Sequence, residues 1–369
     1  MHGGTVTLVC GSISQGPETG IVEREGVRIV RVGSPALPVW DPRRWHAQVQ
    51  SIRSAVKKYL GGSSWQVIHA HTPAFGEALF GEASSAARKV ATVHSPIVEE
   101  QRINWAGPGA VNLLKRTIGL SLLRQSEARV LEDAGSVHVL SGYTKHQLLR
   151  MHGNHLEAKI AEIPWWVEPG IPSIPRREAR RLLGWPADDR VVLTVRRFVR
   201  RMGLGVLVDA CQLLRTDNAL TVLVGTGPDA AGLKAQAARG PRSSRILFPG
   251  ELSEEALGLA YAAADLFVLP TLELECFGLI LLEAFGRGLP AIGTDVGAIP
   301  EVMRNVMPPE AIVPPGNASQ LASTIDRILS GELRLPRREE IVSLSAAKYE
   351  RTRVQSRYLD LLSGRASAL

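Results

Sequence analysis

The amino-acid sequence predicts an α/β protein built from two doubly wound domains of similar size. Short β-rich runs alternate with helical stretches along most of the chain, which is typical of parallel sheets with helices on both faces. The alternation is interrupted at residues 164–178, PWWVEPGIPSIPRRE, where four prolines in a short span indicate a linker. We therefore expect an N-terminal domain at 1–167, a C-terminal domain at 168–341, and a helix in 342–369 that packs back toward the N-terminal domain.

The expected strands are short runs rich in β-branched and other apolar residues. In the N-terminal domain they lie at 5–11, 27–33, 66–71, 89–95, 136–141 and 159–164. In the C-terminal domain they lie at 190–197, 220–225, 244–250, 266–271, 290–295 and 311–316. Helices are expected at 47–60, 112–133 and 342–363. Since ligands of such sheets bind beyond the carboxyl ends of the strands, two facing domains of this kind predict a ligand cleft.

Composition argues against several classes of protein. The chain has 369 residues, 45% hydrophobic and 21% charged, which is enough for two cores, and no apolar run of 18 residues predicts a membrane-spanning helix. The start lacks the pattern of a secretory signal peptide. The cysteines Cys10, Cys211 and Cys276 have no C-x-x-C spacing and indicate free thiols in a reducing compartment. We therefore expect a cytoplasmic protein, with peripheral contact to a membrane left open.

The chain is basic, with a net charge of +7 and a pI of about 9.6. The charge is spread along the sequence, which favours a solvated surface and leaves contact with an anionic membrane or an anionic substrate as the alternatives. Because no aromatic ladder or zinc-finger spacing is present, we do not expect a nucleic-acid partner.

The segment LELECFGLILLEAFGRGLP, residues 272–290, places two carboxylates in an apolar run. Glu275 falls in a loop at the carboxyl end of a predicted strand. Glu283 falls in the helix that follows, about 7 Å along its axis from Gly278. A partly exposed helix glutamate is the simple structural interpretation of Glu283, but its apolar neighbours argue against simple exposure.

The start of this helix offers an anion site between the two carboxylates. The backbone amides of Phe277, Gly278 and Leu279 have no partner within the helix, and Gly278 lets a ligand approach the backbone closely. Two carboxylates on either side of an anion site suit two polyols that flank a diphosphate. A sugar nucleotide has this layout, with its hexose, diphosphate and ribose.

Several segments carry a family resemblance. ECFGLILLE resembles the E-x7-E motif of retaining glycosyltransferases of family 4, which have the GT-B fold. Residues 260–302 are similar to the C-terminal signature of that family almost from end to end, 223–233 (LVGTGPDAAGL) to its LVGxGP turn, and 248–265 to the segment that meets the nucleotide base. The resemblance extends over about residues 5–360 and implies a GT-B fold with two Rossmann-like domains.

The resemblance implies roles for residues of the C-terminal domain. Glu275 would hold hydroxyls of the donor sugar, and Glu283 the hydroxyls of the ribose. Gly225 in the LVGxGP turn and Leu252 in the base-proximal segment would complete the donor site together with Phe277, Gly278 and Leu279.

A basic loop resembles a second motif of the family. Residues 195–210, VRRFVRRMGLGVLVDA, are similar to its GRLxxxKG loop, and Arg197 matches the arginine that binds the donor diphosphate. A guanidinium suits a diphosphate because its fork of donors is bidentate. Met202 stands where the family has a lysine, so Arg201 or Arg200 is expected to supply the second cation. A solvated loop is the alternative.

In the N-terminal domain, ATVHSP resembles the TxHG/TxHT motif of the family. This implies that His94 faces the donor sugar and lines the catalytic centre. We expect His69 and His71, in VIHAHTP, to shape the acceptor side or the fold rather than act directly. VLSGYTKHQL resembles the VSxYT turn, in which Ser141 and Thr144 would be helix caps in preference to acceptor contacts.

Family members usually begin with a strand, a glycine-rich loop and a long helix before the segment that TVTLVCGS resembles. On this comparison we expect either a misassigned start or a truncated protein without those elements, and Gly3 and Gly4 are not followed by a helix and are not equated with the loop. We expect that such a loss would lower both stability and activity.

The resemblance implies transfer of a hexosyl group with retention of the anomeric configuration. The acceptor hydroxyl attacks from the face that the nucleoside diphosphate leaves, and a diphosphate oxygen takes its proton. His94, Glu275 and Arg197 form the expected catalytic set, acting by positioning and by charge stabilisation. ADDR at 187–190 is not a D-x-D motif, so we expect neither a metal nor a cofactor.

The partners are less defined. The expected donor is a UDP-sugar, with GDP-mannose second, and the acceptor is a saccharide, a lipid, or a natural-product aglycone or aminocyclitol. The amphipathic stretch at 110–125 is expected to pack on the sheet, with docking to anionic lipid as the alternative.

Two other functions fit parts of the sequence. An NAD-dependent oxidoreductase is suggested by the G-x-G-x-x-A pattern in LTVLVGTGPDAAG, but no acidic residue follows at the expected distance before Glu251. A non-catalytic sugar-nucleotide-binding partner protein is suggested by Met202 and by the missing N-terminal elements. The retention of Arg197, Glu275, Glu283 and His94 argues against it. A sugar-nucleotide epimerase does not suit the ECFGL segment.

Overall fold

The computed structural model describes residues 5–11, 19–35, 43–84, 86–107, 109–170 and 172–365. The chain divides into two compact units. The first comprises Met1–Val139, Lys145–Glu162 and Tyr358–Leu369, and the second comprises Leu140–Thr144 and Ile163–Arg357. Residues Gly3 and Gly4, which were not equated with the family's N-terminal loop, lie outside the described residues.

The described residues of the first unit contain two sheets. Their strands are β1 (Thr7–Gly11), β2 (Gly20–Arg24), β3 (Val27–Val32), β4 (Val67–Ala70), β5 (Arg88–Val93), β6 (Ser136–Val139) and β7 (Ile160–Glu162). One sheet has the order β1-β3-β2, and the other is a parallel sheet in the order β4-β5-β6-β7.

Strand β2 was not predicted, and it pairs antiparallel with β3, so the expectation of parallel sheets alone was wrong for this part of the chain. The turn between the two strands explains the hairpin. Glu25 and Gly26 both have positive φ angles, 51° and 77°, which is the backbone of the two-residue turns that suit twisted hairpins. Most of β2 is exposed, so it lacks the apolar pattern by which buried strands are recognised.

Six α-helices follow in the described residues of this part of the chain. They are α1 (Arg43–Leu60), α2 (Pro73–Glu82), α3 (Ile97–Asn104), α4 (Ala110–Leu114), α5 (Leu120–Asp133) and α6 (Gly142–His152), whose first turn belongs to the second unit. The core joins α1, α2 and the sheets through residues such as Val30, Ile52, Phe80 and Val137.

The helix expected at 112–133 is interrupted, because a π-helical turn at Lys115–Gly119 separates α4 from α5. Its expected packing on the sheet is wrong for the N-terminal half. The large apolar side chains of α4 and of the π turn are exposed, and buried apolar positions begin at Leu123 in α5. The physical reason is that only one face of α5 meets the core, whereas the first two turns present their apolar residues to solvent.

The second unit is built on six parallel strands within the described residues. They are β8 (Arg190–Val195), β9 (Ala219–Val224), β10 (Ile246–Gly250), β11 (Leu266–Leu269), β12 (Ala291–Thr294) and β13 (Ile312–Val313). Their order is β10-β9-β8-β11-β12-β13, in which the direction of winding reverses between β8 and β11. Ligands of doubly wound sheets bind at such a switch point, beyond the carboxyl ends of the strands.

Within the described residues, nine α-helices follow the interdomain linker, and the last of them, α15, runs from the second unit into the first. They are α7 (Arg176–Leu183), α8 (Leu204–Leu213), α9 (Ala230–Ala238), α10 (Glu254–Ala263), α11 (Leu279–Gly286), α12 (Ile299–Met303), α13 (Ala318–Leu329), α14 (Arg338–Tyr349) and α15 (Arg351–Ser363). Strands β9, β11 and β12 are buried along their whole length. For this reason their sequences are mostly apolar and do not alternate with polar residues.

The C-terminal helix expected at 342–363 is two helices. Helix α14 begins at Arg338 and ends at Tyr349, and its Ile341 and Tyr349 lie in the core of the second unit. Glu350 has an extended ψ of 131°, and its carboxylate accepts the amides of Thr352 and Arg353 at 2.8 Å. The carboxylate therefore caps α15 and separates it from α14. The chain belongs to the first unit again from Tyr358.

Candidate functional site

Two loops meet at the switch point of the second unit. The first follows β8 and the second follows β11, and they are tied by hydrogen bonds from the amide of Leu272 to the carbonyl of Arg201 (2.8 Å) and from Arg201 Nη1 to the carbonyl of Leu274 (2.9 Å). Gly203 has a φ of +70°, and a Cβ there would lie 1.8 Å from the carbonyl oxygen of Pro270. Only glycine permits so close an approach of the two loops.

A buried ion pair joins these loops. The Arg196 guanidinium contacts the Glu275 carboxylate, with Nη2 2.6 Å from Oε2, and the two side chains are only 11% and 13% exposed. The same nitrogen lies 3.2 Å from Thr271 Oγ1 and 2.7 Å from Met202 Sδ. Glu275 is thus held by an arginine that the sequence analysis did not select.

The cation beside Glu275 is Arg196, whereas the expectation that Arg200 or Arg201 supplies a second cation to the diphosphate stays a prediction. Arg201 donates to the Leu274 carbonyl, and Arg200 is exposed. The signal that was missed is the pair of adjacent arginines directly after β8. The first of them reaches across to the neighbouring strand end.

Arg197 lies beside this pair and lines a cleft of about 750 Å³ at the ends of β8 and β9. Gly225 and Leu252 also line the cleft. Among the residues that the structure describes, no group forms a hydrogen bond or ion pair with the exposed side chain of Arg197. Its guanidinium is therefore available to an anion in the cleft.

Gly225 and Gly227 bring the LVGTGP turn against the arginine loop. A Cβ on Gly225, whose φ is +128°, would lie 2.0 Å from the carbonyl oxygen of Arg196. A Cβ on Gly227 would lie 2.3 Å from the carbonyl oxygen of Phe198. The turn therefore forms one wall of the cleft without side chains that would fill it.

Helix α11 begins at Leu279 after Gly278, whose φ is +85°. No hydrogen-bond partner is present for the backbone amides of Phe277, Gly278 and Leu279 in the part of the chain that the structure describes. The Phe277 ring is buried edge-on against Tyr349, with 6.0 Å between centroids. Phe277 can therefore meet a ligand through its amide rather than its ring.

Glu283 is exposed on α11, so the expectation that its apolar neighbours would prevent simple exposure was wrong. Those neighbours lie on the other faces of the helix and are buried in the core. The carboxylate is nevertheless held, because the buried Tyr261 hydroxyl donates to Glu283 Oε2 at 3.0 Å. Burial, followed by the charge of Glu283, raises the pKa of Tyr261.

The loop that carries Glu275 is fixed through its backbone. The Glu275 carbonyl accepts the Ala298 amide at 2.8 Å, and the next carbonyl, that of Cys276, accepts Ser141 Oγ at 2.6 Å and Thr144 Oγ1 at 3.2 Å. Ser141 Oγ also accepts the Thr144 amide at 3.2 Å, which makes Ser141 a cap of α6, as expected.

A cluster of histidines occupies the strand ends of the first unit. His94 Nε2 lies 2.9 Å from His71 Nδ1, and the two rings are nearly parallel with centroids 5.2 Å apart. Both line a cavity of about 190 Å³. Burial lowers the pKa of His94, and burial together with the charge of His94 lowers the pKa of His71.

A second chain of hydrogen bonds lies behind this pair. His69 Nε2 is 2.7 Å from Thr92 Oγ1, which is 3.0 Å from Nδ1 of the buried His138, and the Tyr358 hydroxyl lies 3.2 Å from His69. Burial, and then the charges of His71, His138 and His94, lower the pKa of His69 to about 3. His138, Thr92 and Tyr358 were not predicted from the sequence, since no motif marks them.

The described residues offer neither a metal site nor a membrane-spanning helix. No cluster of three or more His, Cys, Asp or Glu side chains among them has the geometry to hold a metal ion. None of the helices within the same residues is long and apolar enough to span a bilayer.

Comparison with known proteins connects these observations to a family. Residues 175–345 match the family described as glycosyl transferases group 1, and residues 2–166 match the glycosyl transferase 4-like domain. Together the two matches span most of the chain. Both parts of the chain thus match glycosyltransferase families, and the chain is a glycosyltransferase.

Relatives of this glycosyltransferase act in different settings. TuaC of Bacillus subtilis (strain 168), a glycosyltransferase assigned to teichuronic acid biosynthesis, is 27% identical over 314 residues, which are 82% of this chain and 72% of TuaC. The D-inositol 3-phosphate glycosyltransferase of Mycobacterium tuberculosis (strain ATCC 25177 / H37Ra) is 29% identical over 249 residues. That match is 64% of this chain and 48% of the mycobacterial enzyme, so it leaves about half of the relative unaligned.

Solved structures confirm the GT-B fold of the glycosyltransferase. Sucrose-phosphate synthase of Thermosynechococcus elongatus superposes with a TM-score of 0.68 at 25% identity, over 98% of this chain and 86% of that one. Anabaena HepE in complex with UDP and glucose gives a TM-score of 0.70 at 16% identity, over 97% of this chain and all of HepE.

Proposed function

We propose that this glycosyltransferase moves a hexosyl group from a nucleoside-diphosphate sugar to an acceptor hydroxyl, with retention of the anomeric configuration and without a metal. The observation that carries the proposal is the cleft at the switch point of the second unit. Arg196 and Arg197 line this cleft, and Arg197 has an available guanidinium. Arg196 in turn contacts Glu275 in the loop after β11, and the free amides that begin α11 and the exposed Glu283 follow that loop along the chain.

In the proposed complex these groups divide the donor between them. Arg197 and the amides of Phe277, Gly278 and Leu279 bind the diphosphate, since donors fixed before binding lose little entropy. Glu275 accepts hydroxyls of the sugar, and Glu283 accepts hydroxyls of the ribose. Gly225 and Leu252 lie on the side of the base, and Arg201 holds the loop of Glu275 through the Leu274 carbonyl.

The reaction needs a stabilised leaving group more than an enzymic nucleophile. As the bond from the anomeric carbon to the diphosphate oxygen breaks, negative charge grows on the diphosphate, and Arg197 with the α11 amides stabilises it. The acceptor oxygen forms the new bond on the same face, and its proton passes to a diphosphate oxygen. The role proposed for His94 is to contact the donor sugar as a neutral imidazole, and the lowering of its pKa by burial favours that form.

The donor base and the acceptor are proposed from the relatives. HepE was crystallised with UDP and glucose, which supports a UDP-sugar ahead of GDP-mannose. TuaC is named for a polysaccharide and the mycobacterial relative for an inositol phosphate, which supports a saccharide or cyclitol hydroxyl as the acceptor, with lipids as a further class.

We also propose a peripheral contact with anionic membranes through residues 111–124, the apolar-basic surface. Residues 101–126 contain four arginines and lysines and no acidic residue. The apolar-basic surface exposes large apolar side chains beside Lys115, Arg116 and Arg124, and they are Val111, Leu113, Leu114, Ile118 and Leu122. This combination suits a bilayer surface with negative headgroups.

Vesicle sedimentation tests the membrane contact. The protein should sediment with vesicles of phosphatidylcholine and phosphatidylglycerol and remain in solution with phosphatidylcholine alone. Leu113→Ser with Ile118→Ser should abolish sedimentation, whereas Leu182→Ser, at an exposed leucine of α7, should not. Equal sedimentation of both variants would overturn the contact.

Donor hydrolysis tests the transferase itself. Purified protein is incubated with UDP-glucose, UDP-N-acetylglucosamine or GDP-mannose, and the anomer of the released sugar is read by NMR before it mutarotates. The proposal predicts a retained α-anomer and loss of release in Arg197→Ala. Release of the β-anomer would contradict retention. Donor binding without hydrolysis or transfer to any acceptor would favour the non-catalytic binding protein.

A further inference from the structure

Met202 stands where the GRLxxxKG motif has a lysine, so the arginine loop lacks that positive charge. In the structure the guanidinium of Arg196 lies next to the Met202 side chain. The Met202 side chain is nearly buried at 9% exposure, and its sulfur lies 2.7 Å from Arg196 Nη2. Residue 202 is uncharged, but the guanidinium of Arg196 places a positive charge beside the sulfur of the Met202 side chain.

Two contacts orient the Arg196 guanidinium. Glu275 and Thr271 both lie within hydrogen-bond distance of Nη2, while the backbone amide of Arg196 donates to Val224 at 3.0 Å. The side chain is thus fixed at its base and along one edge. A guanidinium held in this way can present its other edge to a ligand without further ordering.

The other edge of Arg196 still has donors to give. A guanidinium carries five N–H groups, of which Nη2 supplies two. In the described ranges Nε is buried with no hydrogen-bond partner, and none of the hydrogen bonds of Arg196 involves Nη1. Nε is closed off from the cleft, whereas Nη1 is unpaired within the same ranges and is not among the buried atoms. Because Arg196 lines the same cleft as Arg197, the free Nη1 donors point to a multiply charged acceptor there.

We infer that Arg196 is the second cation of the donor site and binds the diphosphate together with Arg197, in place of the lysine that Met202 replaces. The inference rests on the proposed function. Glu275 neutralises part of the charge of Arg196 when the cleft is empty, and the two arginines with one carboxylate leave a net positive charge for the diphosphate. The role of Met202 is to leave room for the guanidinium and to accept one of its donors.

The two positions should be exchangeable. In the GRLxxxKG motif the first glycine falls on Arg196 and the lysine falls on Met202. The variant Arg196→Gly with Met202→Lys moves the cation back to position 202 and keeps one charge beside Glu275. Met202→Lys alone places two cations against one carboxylate, and their repulsion should distort the site.

Titration calorimetry with UDP, GDP and ADP, and with the corresponding nucleosides, tests the inference. For the diphosphate that binds wild-type protein, Arg196→Ala should weaken affinity about 10- to 100-fold, since a charge-assisted hydrogen bond is lost, while nucleoside affinity stays unchanged. The exchanged double variant should recover affinity to within about threefold of wild type. Arg239→Ala, at an exposed arginine that follows α9, is the control and should match wild type.

The outcomes separate the inference from the proposed function. If wild-type protein binds none of the three diphosphates, the proposed function fails. If it binds one and Arg196→Ala weakens diphosphate and nucleoside equally, Arg196 has only a structural role and the inference is overturned. Should Arg196→Ala not fold, the exchanged variant decides, because a folded double variant without diphosphate affinity contradicts the inference.

Discussion

Arg196 and Glu275 lie 2.6 Å apart although 79 residues separate them in the chain. Each follows one of the two strands, β8 and β11, between which the winding of the sheet reverses. The pair therefore fixes a carboxylate at the point where a doubly wound sheet binds its ligand. Because both side chains are nearly buried, the pair matters for stability as well as for binding.

Removing Glu275 should destabilise the second unit. Glu275→Ala leaves a nearly buried guanidinium without its carboxylate, at a cost of about 3 kcal/mol. Arg196→Ala with Glu275→Ala should cost less than the sum of the single changes, because neither charge is then left alone. Urea unfolding followed by circular dichroism measures both effects.

The control for this prediction is an exposed pair. Arg327 and Glu332 are 40% and 65% exposed, and Glu332→Ala should change stability by less than about 1 kcal/mol. Strict additivity of the Arg196 and Glu275 changes would show that the pair is not coupled.

Glu283 should make the enzyme sensitive to the ribose of the nucleotide. If its carboxylate accepts ribose hydroxyls, 2′-deoxy-UDP should bind wild-type protein about tenfold more weakly than UDP. In Glu283→Ala the two ligands should bind alike. Tyr261→Phe, which removes the hydroxyl that holds Glu283, should give an intermediate ratio. The same preference for UDP in wild type and in Glu283→Ala would contradict this role of the carboxylate.

The histidine cluster should make stability fall in acid. The pKa of His69 is about 3 in the folded protein, below its ordinary value of 6.5, so the unfolded chain binds more protons between these values. The contribution is complete above pH 6.5 and is lost progressively as the pH falls toward 3. The lowered pKa values of His71 and His94 act in the same direction.

Thermal unfolding between pH 4 and pH 8 tests this dependence in wild type and in His69→Gln, whose amide can still pair with Thr92. The midpoint should fall less steeply with acid in the variant. An exposed histidine, His46, supplies the control through His46→Gln, which should follow wild type. A steeper fall in His69→Gln than in wild type would contradict the assignment.

Gly225 should not tolerate a side chain. With a φ of +128° and a Cβ position 2.0 Å from the Arg196 carbonyl, Gly225→Ala should cost about 1–3 kcal/mol and lower nucleotide affinity. Gly232→Ala in α9, where a Cβ meets nothing within 4 Å, should instead stabilise by about 0.5–1 kcal/mol. Thermal melts of the two variants compare them directly. Equal effects of the two changes would show that the turn can relax.

The second unit could be predicted well from the sequence because its signals are local. Buried parallel strands read as apolar runs, and Glu275, Gly278 and Glu283 lie within one short segment that a motif marks. The exposure of Glu283 was predicted wrongly. Apolar residues on both sides of a position indicate that a helix packs on the core, but they do not indicate which face of the helix is exposed to solvent.

Contacts between distant segments were the harder part. No sequence pattern predicts the contact between Arg196 and Glu275. The contact depends on the adjacency of β8 and β11 in the sheet and on the space that Met202 leaves. The links of His69 to Thr92 and Tyr358 are likewise made by strand register and by the return of the C-terminal helix to the first unit. The hairpin of β2 escaped because its residues are exposed.

The most direct test of donor binding is titration calorimetry of the wild-type protein with UDP and GDP, beside Arg197→Ala and Glu283→Ala. Saturable binding of one nucleotide, weakened at least about tenfold in both variants, is the result that we predict. Binding of neither nucleotide to the folded wild-type protein, or full affinity in both variants, would contradict the proposed donor site.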